Sequence, residues 1–444
     1  MVRMRDDDVR TCLRVLAELA DTPDGHPDAA RVREAAGVLV RRTRERERAA
    51  ARRRRAAEDA RMLAATATGA AGRVEGAPVE PSPPVPSSSL PSVTVTGGLR
   101  PCYVCKAHFR ETDAFYHRLC PPCAGEHRRH RHARADLAGR RAIVTGGRVK
   151  AGFELVLKLL RDGAHVTALT RFPADARRRF AEVADRDGWH DRLTVVGMDL
   201  RDLPSLVRWC DGLVEAGEPL DILVNLAAQT LRHPPESYAE LLAGEVAPRG
   251  EIPAGEGPVA PVPLPVPLGS GAVDIAGLLP DPSPVNSWTR LVHEVDPVEL
   301  LEVQLINVTA PFVLLGRLRP LLERSPHPRR YVVNVSAVEG QFDRLYKGAE
   351  HPHTNMAKAA LNMLTRTTAS ELAGHGVHVT SVDPGWFTDQ QPEPARARRT
   401  AAGFRPPLDV VDAAARIYHP IVRGERDGDP PSGCLLKDYQ VAPW

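Results

Sequence analysis

Apolar positions along this chain follow two rhythms, which change over near residue 138. Before it the spacing is helical: Val9, Cys12, Leu13, Val15, Leu16 and Leu19 recur at three- and four-residue intervals. A Pro-bearing break at Thr22–Pro27 leads into a second helix. Its continuation, Arg41–Arg61 (RRTRERERAAARRRRAAEDAR), has no apolar stripe wide enough to face a core, which predicts a solvated helix laced with i,i+4 ion pairs. Residues 1–68 thus read as an Arg-rich helical segment. Residues 69–97 hold Pro, Ser, Gly and Val (EPSPPVPSSSLPS), the composition of an extended linker.

Beyond residue 138 short apolar runs alternate with amphipathic stretches. Ala142–Val144, Val166–Thr170, Leu193–Val196, Asp221–Val224, Arg330–Ser336 and Val377–Val382 read as strands, and Phe153–Leu160 (FELVLKLL) as a helix. This alternation predicts an α/β fold, a parallel doubly wound sheet with ligands at the carboxyl ends of its strands. Residues 230–292 interrupt it. Their run GPVAPVPLPVPLGSG is too Pro-rich for core strand or helix, so it is expected as a surface excursion able to act as a lid.

Charged residues make up 26% of the chain and the net charge is only +3, which excludes a disordered acid and a polyanion binder along the whole length. The charge is uneven, however. Residues 1–140 carry 26 Lys/Arg against 18 Asp/Glu, so the front and the body are expected to meet different partners. A nucleic acid or an acidic protein fits the basic front. No signal peptide opens the chain and no apolar run nears the length of a membrane helix, which leads to the expectation of a cytoplasmic, membrane-free protein.

Four of the seven cysteines fall within residues 98–133. Cys102-Tyr-Val-Cys105 and Cys120-Pro-Pro-Cys123 are two C-x-x-C knuckles, each able to give two thiolates to one tetrahedral zinc ion. Tyr103, Phe109, Phe115 and Tyr116 would supply the small core of such a module. A redox dithiol is the alternative, but no βαβ pattern surrounds either pair. His108 and His117 are substitute ligands if one cysteine is unused. The run EHRRHRH (126–132) reads as a solvated basic strip.

The segment Arg141–Gly152 (RAIVTGGRVKAG) places a Gly-bearing turn between a strand and a helix. Glycine lets backbone approach a phosphate, and the helix N-terminus offers free N–H groups. Downstream landmarks follow in order. Asp199-Leu200 closes the third strand of this region, Asn225-Leu226-Ala227-Ala228 the fourth, and Ser336 the fifth. Asn307 lies in LINVTAPF, Lys358 in HTNMAKAA, and Pro384-Gly385 with Thr388 after the sixth strand.

Over residues 138–444 these landmarks resemble the short-chain dehydrogenase/reductase family. The resemblance implies a Rossmann sheet binding a pyridine nucleotide. Thr145, Gly146, Gly147, Arg148, Lys150 and Gly152 would line the diphosphate, Asp199 and Leu200 the adenine, Asn225 and Ala227 the strand end beside it, and Pro384, Gly385 and Thr388 the nicotinamide. Ser336, Asn307 and Lys358 take the places of catalytic residues, and the family's habits imply a homo-oligomer. The activity implied is oxidation or reduction of a small carbonyl/alcohol substrate.

Two departures qualify it. Thr354 stands where the family has tyrosine, and an aliphatic hydroxyl is a far weaker acid than phenol. Tyr346 or His353, in the enlarged loop between Ser336 and Thr354, could replace the lost acid. Lys150 replaces a glycine, so its backbone is expected to avoid positive φ. The second strand ends in Thr170-Arg171 without a carboxylate, and Arg171, helped by Arg148, suits the 2′-phosphate of NADP better than the ribose of NAD. Three readings stay open: an NADP(H)-dependent oxidoreductase, a non-catalytic NADP-binding sensor or scaffold, and a nucleic-acid binder acting through its front half.

Overall fold

The computed structural model describes residues 5–20, 27–79, 94–245, 273–344 and 346–444. The Pro-rich run at 257–271 and all of EPSPPVPSSSLPS lie outside them.

Two compact units divide the chain. The smaller comprises residues 1–62 with Thr96–Leu99. It contains α1 (Asp6–Ala20) and nearly all of α2 (Pro27–Ala64). Asp59 accepts the Gly97 and Gly98 N–H groups at 2.7 and 3.1 Å. The ion pairs expected along Arg41–Arg61 do not form among the described residues: these guanidinium groups stand exposed in water, where pairing gains little over solvation.

The larger unit holds everything else. After a strap at 66–79 come the two ends of β1 (Thr94–Pro101), whose middle, Thr96–Leu99, belongs to the smaller unit, then β2 (His108–Thr112) and α3 (Pro121–Arg131). The sheet region follows: β3 (Arg141–Thr145), α4 (Lys150–Arg161), β4 (His165–Thr170), α5 (Pro173–Ala181), β5 (Leu193–Gly197), α6 (Leu203–Ala216), β6 (Ile222–Asn225), α7 (Ala239–Glu245), α8 (Pro297–Gln304), α9 (Ala310–Arg324), β7 (Arg330–Val335), α10 (Pro352–Ala373), β8 (Val377–Asp383), α11 (Glu393–Ala401), α12 (Val410–Val422), β9 (Leu435–Lys437) and β10 (Gln440–Ala442).

The sheet runs β10-β9-β8-β7-β6-β3-β4-β5, parallel except for the terminal β9–β10 hairpin. All six expected strands are present. The strand order reverses between β3 and β6, which opens a crevice at their carboxyl ends. Leu155, Val156, Leu159 and Leu160 of α4 pack with Ala413, Ala414 and Ile417 of α12 in one core. A second core joins Leu206, Leu314, Leu318, Ala369 and Leu372 from α6, α9 and α10. The stretch Pro297–Arg324 is long and apolar enough to cross a bilayer by composition, a feature that Glu302 and Arg317 hide from a search for unbroken apolar runs. Here its Leu314, Leu318 and Leu321 are buried in the second core.

The front of this unit is fused to the back. Tyr116, Phe115 and Leu119 share a core with Val79 and Leu408. The Tyr116 hydroxyl donates to Asp412 Oδ1 at 2.6 Å, and Arg131 pairs with Asp409 (2.5 Å) and Asp412 (3.1 Å), all buried. The run EHRRHRH is therefore no solvated strip: His127 is buried against Arg416 Nη2 at 2.7 Å, and His130 stacks on Tyr439 at 3.9 Å. Residues 69–79, expected as linker, are also tied down. Arg73 donates to the Pro406 (2.6 Å) and Leu408 carbonyls, and Val79 N–H to Asp409 Oδ2 at 2.7 Å.

Removing one partner of a buried ion pair strands the other charge. Arg131→Met should lower unfolding stability by about 3–5 kcal/mol in denaturant titration; a loss under about 1 kcal/mol would mean Asp409 and Asp412 are not dependent on it.

Candidate active site

The crevice between β3 and β6 is shaped by backbone. Gly146 (φ 74°) lies so close to the β6 exit that a Cβ would sit 2.9 Å from Ala227 Cα, and a Cβ on Gly152 would overlap the Gly146 carbonyl oxygen. Thr145 Oγ1 accepts the Leu226 and Ala227 N–H groups, both at 3.0 Å. The N-cap of α4 is Val149, which offers no side-chain acceptor. The first N–H groups of α4 thus face the crevice with a positive dipole end. Lys150 has φ 54°, contrary to expectation: it keeps the left-handed backbone that glycine would supply.

Other expected nucleotide contacts are held by neighbours. Arg148 is buried, pairing with Asp175 at 2.5 Å and donating to the Ala276 carbonyl at 2.9 Å. Asp199 takes the Arg201 guanidinium at 2.6 Å, and Leu200 is buried. Arg171 is exposed, lies over the Phe172 and Tyr238 rings, and forms no ion pair among the described residues.

One strand further along, Asn225 Nδ2 donates to Asn334 Oδ1, whose own Nδ2 donates to Thr365 Oγ1, and Ser381 Oγ donates to the same oxygen, each at 2.8 Å. This buried chain ties β6, β7, α10 and β8 together beneath the site. Asn307 lies in a π-helical turn, Leu305–Thr309, and its side chain bonds Gln229 N–H (2.8 Å) and carbonyl (3.2 Å) just past the β6 exit.

Lys358 Nζ donates to the Val335 carbonyl at 2.7 Å, next to Ser336. Ser336 Oγ and Thr354 Oγ1 are buried without a hydrogen-bond partner among the described residues. Buried hydroxyls left unpaired cost free energy unless a ligand meets them. Tyr346 is 79% exposed on the surface. His353 is buried with Nε2 3.4 Å from Glu299 Oε1. Burial would raise the Glu299 carboxyl, but His353, Ser287 and the Arg290 charge hold it below its ordinary value. Pro384 and Gly385 follow β8, where Asp383 is buried, and burial raises that carboxyl. Thr388 Oγ1 accepts from Gln390 Nε2 at 2.8 Å.

The four cysteine sulfurs lie within 4.8 Å of one another, with Cys105 and Cys120 at 3.6 Å. Four thiolates about 2.3 Å from one tetrahedral ion stand roughly 3.8 Å apart, so the cluster fits a metal. Burial raises the Cys102 thiol, yet the Cys120, Cys105 and Val104 N–H groups aimed at it bring it below its ordinary value. His117 is no substitute ligand: Thr68 Oγ1 (2.8 Å) and the Arg405 carbonyl (3.3 Å) hold its ring, and burial pushes it down to about 3. Tyr103, between the first two cysteines, accepts the Trp386 N–H at 2.9 Å, so the cluster touches the segment after β8. Sequence spacing carries no signal for that contact.

Residues 140–243 match the family model for short chain dehydrogenase, and residues 272–404 that for enoyl-(acyl carrier protein) reductase. The chain belongs to the short-chain dehydrogenase/reductase family. An uncharacterised protein of Acanthamoeba polyphaga mimivirus is 33% identical over 345 residues, 73% of this chain and 71% of its own length. A 3-oxoacyl-[acyl-carrier-protein] reductase of rhamnolipid biosynthesis from Pseudomonas aeruginosa is 27% identical over 286 residues, covering 64% of this chain and 84% of that protein. Among solved structures, an NADPH-bound carbonyl reductase from chicken fatty liver aligns with a TM-score of 0.46 at 18% identity, over 69% of this chain and all of its own.

Burial pushes the Lys358 ammonium from 10.5 down to about 8, with Glu339 and Asp383 pulling the other way. Between those values the unfolded chain holds the extra proton, so stability rises with pH. The rise is bounded by roughly 3 kcal/mol and should be absent from Lys358→Met when unfolding is followed across that window. Equal slopes in both proteins would show that the ammonium is not desolvated.

Proposed function

We propose that this protein is an NADP(H)-dependent oxidoreductase acting on a carbonyl/alcohol pair. The observation that supports the reading is that one sheet edge brings the glycine turn and two buried hydroxyls together. The glycine turn at 146–152 sits at the strand-order reversal, while Ser336 and Thr354 present buried hydroxyls, unpaired among the described residues, near Lys358. When bound, the nucleotide supplies the hydride. Thr145, Gly146, Gly147, Lys150 and Gly152 hold its diphosphate, and Arg171, which pairs with no carboxylate among the described residues, takes the 2′-phosphate. Ser336 Oγ donates to the substrate oxygen as charge develops there. Lys358 grips the ribose and passes protons, with Thr354 as an auxiliary donor. Asn307 holds the Gln229 backbone, which keeps the β6 exit in place. The four cysteines hold a structural zinc ion.

Thr354 favours one competing reading, a non-catalytic NADP-binding relative, because nothing at that position can cycle as phenolate. Purified protein should bind NADPH in calorimetry and oxidise it with some member of a panel of small carbonyl compounds, and Lys358→Ala should cut turnover by about a hundredfold or more. Binding without turnover over the whole panel, unimproved by Thr354→Tyr, decides for the competing reading; no binding of either pyridine nucleotide sinks both.

Elemental analysis should find zinc bound to the purified chain and absent from Cys102→Ser. A metal-free wild-type protein that unfolds at the same temperature with and without added zinc would refute the structural role.

A further inference from the structure

The strap at 66–79 does more than join the two ends of the larger unit. It is anchored on both sides: Thr68 Oγ1 donates to the Phe115 carbonyl at 2.8 Å, and Val79 N–H to Asp409 at 2.7 Å. Between the anchors, Glu75 Oε1 accepts the Asp389 N–H at 2.6 Å, one residue past Thr388 on the segment that follows β8. The next residue, Gly76 (φ 83°), lies against the phosphate turn. A Cβ there would come 2.8 Å from Ile275 Cγ2 and 3.4 Å from Lys150 Cε. Glu75-Gly76 therefore spans from the turn after β3 to the segment after β8, across the mouth of the crevice.

The charges follow the same path. Burial lowers the Lys150 ammonium, and Asp274 and Glu75 are the carboxylates that pull it back up. Burial raises the Glu75 carboxyl, while the Asp389 N–H, Arg396 and Lys150 act against the shift. An anion held between a lysine of the phosphate turn and a backbone N–H beyond β8 lies where a bound dinucleotide would run, its diphosphate over the turn and its nicotinamide beside the segment after β8.

We propose that Glu75 is a built-in competitor of the nucleotide diphosphate: in the free protein its carboxylate holds the Asp389 N–H while the neighbouring Gly76 lies against Lys150, and nucleotide entry displaces the strap at residues 75–76. The inference rests on the nucleotide reading above. It makes apparent affinity smaller than the intrinsic affinity of the turn, because closing on ligand must first release this contact. It also assigns the unexpected lysine at 150 a purpose, as the cation for which carboxylate and phosphate compete.

Glu75→Gln keeps the size and an acceptor for Asp389 N–H but removes the charge, so the strap stays folded. In calorimetric titration of the full chain with NADPH, Glu75→Gln should bind about tenfold tighter than wild type. Glu75→Asp, which keeps the charge, should stay within about twofold of wild type, and the gain should vanish when Glu75→Gln is combined with Lys150→Met. Equal or weaker binding by Glu75→Gln overturns the proposal while leaving the nucleotide reading standing. If neither wild type nor variant takes up NADPH, the nucleotide reading fails, and the competitor role fails with it.

Discussion

The site depends on how closely three stretches of backbone approach one another where the strand order reverses. Gly146, Gly152 and Ala227 meet at distances that leave no room for a side chain on either glycine. Thr145 locks the approach by receiving two N–H groups from the β6 exit. Only because this junction is closed from below do the first amides of α4 point outward with no side chain to satisfy them. A charge of negative sign is then the natural complement. Ser336 and Lys358 reach the same edge because β6 and β7 are neighbours, with the Asn225–Asn334–Thr365–Ser381 chain fixing their relative height.

A second constraint is electrostatic. Arg131, Asp409, Asp412, Tyr116 and Arg416 are buried together, and Arg416 reaches His127 and Asp438. Ion pairs in such surroundings add little net stability over apolar packing, but breaking them is costly. Their effect is specificity: the cysteine module has one seat on the body, beside α12. Through Tyr103 that seat extends to Trp386, so the cluster and the segment after β8 share a boundary.

Much of the body was legible in sequence. Strands β3 to β8 are short apolar runs bounded by Gly, Pro or charge, and their ends carry the landmark residues. What escaped was set by pairing over long separations. β9 and β10 are three residues each, too short for periodicity to register. His127 and Arg131 sit in a run that looks solvated because their partners, Arg416 and Asp409, lie 289 and 278 residues away. The strap shares its composition with a linker and owes its order to Pro406, Leu408 and Asp409. Arg148 and Asp199 stand at motif positions, yet Asp175 and Arg201 hold them in the fold. The left-handed backbone of Lys150 runs against residue preference, so its sequence gives no sign of it.

The bonds between front and back also bear on how the chain can be made. A ribosome releases Tyr116 and Arg131 long before Asp409 and Asp412, with nearly 300 residues still to be synthesised. Until those carboxylates emerge, Arg131 and the apolar side chains around it must wait without their seat. The front half therefore cannot mature in order of synthesis, and a chain stopped short of α12 exposes an unfinished surface at both ends.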